Sequence, residues 1–224
     1  MAENSTPLKL NVTRLVLVPA LITLAVTLLR LIGELQHWPS VLFSRAEGGG
    51  AAIVGISWLP IIFGPYFAVK LIDQGRGPSS FAKTIGFALL GFVVLMLGAG
   101  LAFATNFTFP GHLALGLLLI VVAVVLQYVP WRDLARIQIA YAYAARIPVA
   151  IIMFFAMRYN WGTHYDAVPP QYEHVAFWPK YMLLAFAPQL VMWIAYTMIV
   201  GAFFGGIYAA IVRRKKPAAA PAGA

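Results

Sequence analysis

The chain has 224 residues, of which 62% are hydrophobic and 10% charged, with a formal charge of +9. Soluble domains carry about 25% charged residues and need polar cover on their exterior, so this composition excludes an ordinary soluble fold and indicates an all-α bundle in a bilayer. The basic residues lie between apolar runs and at the chain ends, which argues for contact with anionic lipid headgroups and against nucleic acid as a partner. The absence of cysteine excludes disulfides, thiolate metal sites and a cysteine nucleophile.

Six apolar stretches are read as transmembrane helices, because hydrocarbon forces backbone groups to pair within each segment. The first covers about residues 15–35. Lys9 and Arg14 precede it, and no small-x-small cleavage site follows, so it is read as a retained helix. A Gly-rich turn at 44–50 leads to the second span, about 51–71, interrupted by Pro60 and Pro65. After the polar loop 73–83, the third span covers about 84–105 and the fourth about 113–129, ended by Pro130 and Trp131-Arg132-Asp133. The fifth covers about 137–157. A long aromatic and Pro-containing loop, 158–180, precedes the sixth, about 181–212, in which Pro188 predicts a tilt or kink. Residues 1–212 thus form one membrane domain, and 213–224 a basic, Ala/Pro-rich, disordered tail.

Eleven Lys and Arg residues fall on one side of this scheme: Lys9, Arg14, Lys70, Arg76, Lys83, Arg132, Arg136, Arg213, Arg214, Lys215 and Lys216. Only Arg45, Arg158 and Lys180 fall on the other. The asymmetry places both termini in the cytoplasm. Trp38, Trp161 and Trp178 then mark the outer interface and Trp131 the inner one. The Ala/Pro tail and compact loops point to the cytoplasmic (inner) membrane of a bacterium, so no glycan is expected at Asn106-Phe107-Thr108. A faint likeness between 35–39 and 126–130 extends no further and is taken as chance rather than as an inverted repeat.

Charges inside spans are costly and should face the bundle interior. Arg30, Glu34 and His37 are spaced by four and three, on one helical face, and Arg30 with Glu34 can pair. Tyr143 and Arg146 share a face of span five, with Gln138 loosely beside them. A bridge from Arg146 to Glu34 is the structural expectation for the mid-membrane arginine. Even so, two arginines against one glutamate leave excess positive charge, suited to a lipid phosphate or a carboxylate. In span six Gln189, Trp193 and Tyr196 align, and Gly201 with Gly205 form a small-xxx-small packing pair. Spans three and four carry no polar side chain over 86–104 and 113–126. Spans one, two, five and six are therefore expected to enclose a polar interior.

All four histidines fall on the outer side. His37, His164, Asp166 and His174 are of the types that bind zinc, although they lack the spacing of a helical metal motif. Haem on His37 and His112 fits poorly, since haem ligands project from within spans. No nucleotide-binding loop or nucleophile elbow is present. Three functions are expected from these residues. The first is a small transporter or binder of an anionic or amphiphilic molecule at Arg30, Glu34, Tyr143, Arg146, Gln189 and Trp193. The second is a membrane enzyme with a His/Asp/Glu site, with or without a metal cofactor, at the outer face. The third is a subunit or assembly factor that packs against a membrane-protein partner or a second copy of the chain.

Overall fold

A computed structural model describes residues 10–50, 52–103 and 109–214, the side chains of 213 and 214 excepted. The sequon at 106–108, the basic residues 9, 215 and 216, and the C-terminal tail lie outside the described residues. Among the described residues there is no strand. The helices are α1 Val12–Leu35, α2 Leu59–Asp73, α3 Phe81–Phe103, α4 His112–Leu126, α5 Arg132–Tyr159, α6 Phe177–Tyr181 and α7 Trp193–Arg214. Two π-helical stretches, Met182–Phe186 and Pro188–Met192, join α6 to α7. Phe177–Val212 is therefore one rod of 36 residues.

This rod, α1, α3 and α5 are long and apolar enough to cross a membrane; α2 and α4, at 15 residues each, are shorter. Their outward faces carry exposed Leu17, Leu21 and Ile32 on α1, Leu89, Val93 and Leu97 on α3, and Leu118, Val121 and Val125 on α4. A contiguous apolar exterior of this kind is an aggregation surface in water and suits hydrocarbon.

α7 sits at the centre, against α2, α3, α4 and α5. It runs parallel to α2, where Gly64 meets Gly201 and Gly205 so closely that a Cβ on Gly64 would collide with the Gly201 backbone. The spacing of Gly201 and Gly205 anticipates this close packing; their partner Gly64 was not visible in it. α3 packs antiparallel on α4 through Gly98 and Gly116, and the pair is tied at one end by His112 Nδ1–H to the Leu101 carbonyl (2.8 Å) and at the other by Gln127 Nε2–H to the Phe87 carbonyl (3.2 Å). α5 runs parallel to α1, where Tyr141 and Thr23 share a hydroxyl hydrogen bond of 2.9 Å, and antiparallel to α7, where Gln138 abuts Gly201.

The two ends of the bundle are built differently. At one, Trp131 Nε1–H donates to the Arg76 carbonyl (2.8 Å) and Arg76 pairs with Asp133 (3.0 Å), which clamps the loop after α2 to the start of α5. Trp131 is thus buried, not an interfacial anchor, because its indole N–H has found an acceptor within the protein. At the other end lie the irregular connections 36–58 and 160–176.

The helix bounds correct the expected spans in three places. The second is helical only from Leu59: residues 52–58 are irregular, since Pro60 falls at the first turn, the position proline favours. Arg132 and Asp133 start α5 rather than end the preceding span. The last rod begins at Phe177 and, instead of kinking at Pro188, widens into π turns that absorb the missing N–H.

Candidate functional site

The site starts from α1. Thr23, Thr27, Arg30 and Glu34 recur at four, three and four positions and are all buried on one face. Arg30 Nε–H donates to Glu34 Oε1 at 2.7 Å. The same guanidinium reaches across to the glycine turn, where Nη2 donates to the carbonyls of Ser44 (3.1 Å) and Gly49 (2.7 Å). Gly48, Gly49 and Gly50 have φ of 66°, 83° and 53°, a left-handed run that glycine adopts readily. A Cβ at Gly49 or Gly55 would lie 3.0 Å from the guanidinium. The turn is therefore strapped to Arg30 by glycines that leave room for it.

Glu34 is bound a second time. Its Oε2 accepts the backbone N–H of His164 (2.8 Å) and its Oε1 accepts His164 Nδ1–H (2.5 Å). The loop that brings His164 there is shaped by Asp166. Oδ2 of Asp166 accepts from the Gly162 N–H (2.8 Å), and Oδ1 accepts from the N–H (2.7 Å) and hydroxyl (2.6 Å) of Thr163. This is an aspartate holding its own turn. Burial pulls the His164 pKa below its ordinary value, against the opposing pull of the Glu34 hydrogen bond. The imidazole is therefore neutral near pH 7, with its proton on Nδ1 and a lone pair on Nε2. Tyr165 stacks obliquely on His164, ring centroids 3.8 Å apart, and its hydroxyl donates to the Thr27 carbonyl (3.4 Å). Burial pushes its phenol well above the usual range.

Arg146 occupies a different environment. It is 4% exposed, Nη1 donates to Gln189 Oε1 at 3.2 Å, and the guanidinium lies over the Trp193 ring, 4.5 Å from its centroid. Among the described residues no carboxylate lies within 4.0 Å of it. The expected Arg146–Glu34 bridge is not formed, because Arg30 and His164 already take both oxygens of Glu34.

Arg30, Arg146 and His164 border one cavity of about 360 Å³, within the roughly 300–1,000 Å³ of small-molecule sites. Its walls come from α1, residues 47–50 and 52–57, α5, the 164–169 loop and the π-helical rod; α3 and α4 contribute none. Gln189 and Ser57 add polar groups, while Val149, Met153, Leu184 and Met192 add apolar ones. Leu184 and Trp193 both face in, although nine positions at 100° per residue put two α-helical side chains on opposite sides. The π turns add about one residue per turn and bring the two back to one face.

Of the residues read as a binding site, Arg30, Arg146, Gln189 and Trp193 line this cavity, and Glu34 lies directly behind it. Tyr143 does not. It is 40% exposed, because the buried stripe of α5 runs through Gln138, Ala142, Ala145, Arg146 and Val149 and leaves Tyr143 on the outer flank. Tyr196 packs edge-on to Trp193 but belongs to the apolar contact with α3 and α4. The metal-ligand set does not assemble either. His37 is exposed and contacts Arg45, His174 is exposed, and both Asp166 oxygens serve its own turn. Among the described residues no three His, Cys, Asp or Glu side chains converge as a metal would require. Sequence reasoning missed Thr27, Tyr165 and the glycine turn. The Thr23–Thr27–Arg30–Glu34 spacing was the available signal for the first; the other two depend on long-range contacts.

The chain matches no protein-family model, no curated protein and no solved structure. What fold and site define is an all-helical protein with helices suited to a bilayer and a polar cavity at one end.

Proposed function

We propose that the chain is a six-span inner-membrane protein with both termini in the cytoplasm, whose outward-opening cavity binds an anionic or amphiphilic molecule for transport. The two ends of the bundle support the topology. The loop after α2 and the start of α5, clamped together, carry Arg76, Arg132 and Arg136, whereas the cavity lies at the end with the few basic residues, as an outer face requires. Residues 52–58 extend the short α2 across the remaining depth, irregular backbone being tolerated where it lines a cavity.

The observation that carries the binding reading is Arg146, a buried cation that borders a cavity and has no acid partner among the described residues. A buried unpaired charge costs several kcal/mol, which an anionic ligand offsets. The apolar half of the lining fits a hydrocarbon portion on the same molecule. Thermal unfolding in mild detergent tests this. Short-chain anionic amphiphiles should raise the melting temperature of the native chain and zwitterionic ones should not. At a ligand concentration of about 100 Kd the gain is about 2.7 kcal/mol. Arg146→Gln should abolish the shift while retaining the helical circular dichroism; an unchanged shift removes Arg146 from the site. A second reading, a membrane enzyme, is favoured by the Glu34–His164 pair, in which a carboxylate fixes the tautomer of a neutral imidazole as in general-base sites. Hydrolysis of an added ester or phosphoester that is lost in His164→Gln would favour it.

A further inference from the structure

His164 gives the cavity a second polar pole. Its Nδ1 proton is committed to Glu34, 2.5 Å away, and the other oxygen of Glu34 is held by the His164 backbone N–H. Arg30 hydrogen-bonds Glu34 and two backbone carbonyls. The one polar atom of the ring left over is Nε2, an acceptor on a residue bordering the same cavity as Arg146. Tyr165, adjacent to His164, lines that cavity as well, so the two poles face one space of about 360 Å³.

A fixed cationic donor and a fixed acceptor select a ligand group that is anionic and also offers an O–H. A carboxylate has lost its proton near neutral pH. A phosphodiester has no second proton to offer. A phosphate monoester, with a second pKa of about 6, presents ionised oxygens and one that still titrates. We infer that the cavity recognises a phosphate monoester, its ionised oxygens on Arg146 and its titratable oxygen hydrogen-bonded to Nε2 of His164, so that binding takes up a proton. This rests on the reading of Arg146 as the anion-binding group.

The groups around His164 fit this assignment. Glu34 and Arg30 on α1 cancel one another, and Asp166 on the same loop is saturated by its own turn. Tyr165 stays neutral, and Glu47 stands exposed at the cavity wall. Among the described residues Arg146 on α5 has no acid partner, and the lining residues from the π-helical rod, Leu184, Pro188, Gln189, Met192 and Trp193, do not titrate. Without ligand, burial keeps His164 neutral; the shared proton arrives with the phosphate.

Titration calorimetry at about pH 8, where a monoester is almost wholly dianionic, reads the proton directly when repeated in two buffers of different ionisation enthalpy. The probes are glycerol phosphate as a soluble monoester, dihexanoyl phosphatidic acid as a lipid monoester, and dihexanoyl phosphatidylglycerol as a diester. We expect one or both monoesters to bind the full-length native protein with roughly one proton taken up per ligand and an affinity that falls about tenfold per pH unit above that pKa. Whichever monoester binds identifies the source, soluble or lipid. The diester should bind without proton uptake and at least about tenfold more weakly, for want of the second hydrogen bond. In His164→Gln the uptake should vanish while binding persists in weakened form; in Arg146→Gln all binding should vanish. Monoester binding without proton uptake, or uptake that survives in His164→Gln, overturns the inference and leaves the anion site standing. Failure of the native protein to bind any probe, or undiminished binding by Arg146→Gln, overturns both. Should His164→Gln not fold, the monoester-against-diester comparison on the native chain decides alone.

Discussion

Two buried arginines of the same chemical type behave in opposite ways here. Arg30 is enclosed by one carboxylate and two carbonyls; Arg146 has an amide and an indole face. Removing one partner of a buried ion pair costs about 3–5 kcal/mol, because the other is left charged and unpaired. Arg30→Gln should therefore lower the unfolding free energy in detergent by about 3 kcal/mol. Arg146→Gln, which removes a charge that has no acid to leave behind, should be neutral or stabilising without ligand; the reverse order of the two melting temperatures would refute this account. His164 gives a pH dependence. Its folded pKa lies below the unfolded value of 6.5, so the unfolded chain binds its proton first. Stability is fully present above 6.5 and is lost as pH falls from there through the folded pKa. A melting-temperature series across that window should slope downward toward acid, and the slope should lessen in His164→Gln. The Arg30–Glu34 pair was legible in the sequence because four positions on a helix are neighbours. The Glu34–His164 contact spans 130 positions, and nothing local encodes it.

The elements show how far periodicity reaches. Hydropathy located the long helices but not α6, which lies in the segment read as a loop, and helical spacing alone did not settle which side chains face the cavity. Tyr143 was drawn into the site by its three-residue spacing from Arg146, although only Arg146 lies on the buried stripe. The π stretches turned Leu184 and Trp193 to one side against the α-helical expectation. The glycine contact between α2 and α7 is a backbone-to-backbone approach with no room for a Cβ on Gly64. Gly64→Leu should separate these helices and destabilise the fold by at least about 1–3 kcal/mol, as overpacking does. Gly86→Leu, on a helix face with nothing within 4 Å of its Cβ, is the control and should unfold like the native protein. Equal losses at both positions would mean that Gly64 does not mark a close crossing.

For the whole molecule the question is direction across the bilayer. The chain has no cysteine, so single introduced thiols report sidedness without background. Ala46→Cys, at the cavity end, should react with a membrane-impermeant maleimide in intact cells. Ser79→Cys, in the loop clamped to α5, should react only after permeabilisation. The opposite pattern would invert the topology and turn the cavity toward the cytoplasm. By itself the sequence determined the long apolar helices, their approximate bounds and the charged groups within them, since hydrophobicity and helical spacing are properties of short segments. Only the tertiary structure decided which buried arginine is left without an acid, because that depends on who reaches Glu34 first. Arg30 reaches it from one turn away and His164 from a distant loop, and the cavity around Arg146 is what their success leaves open.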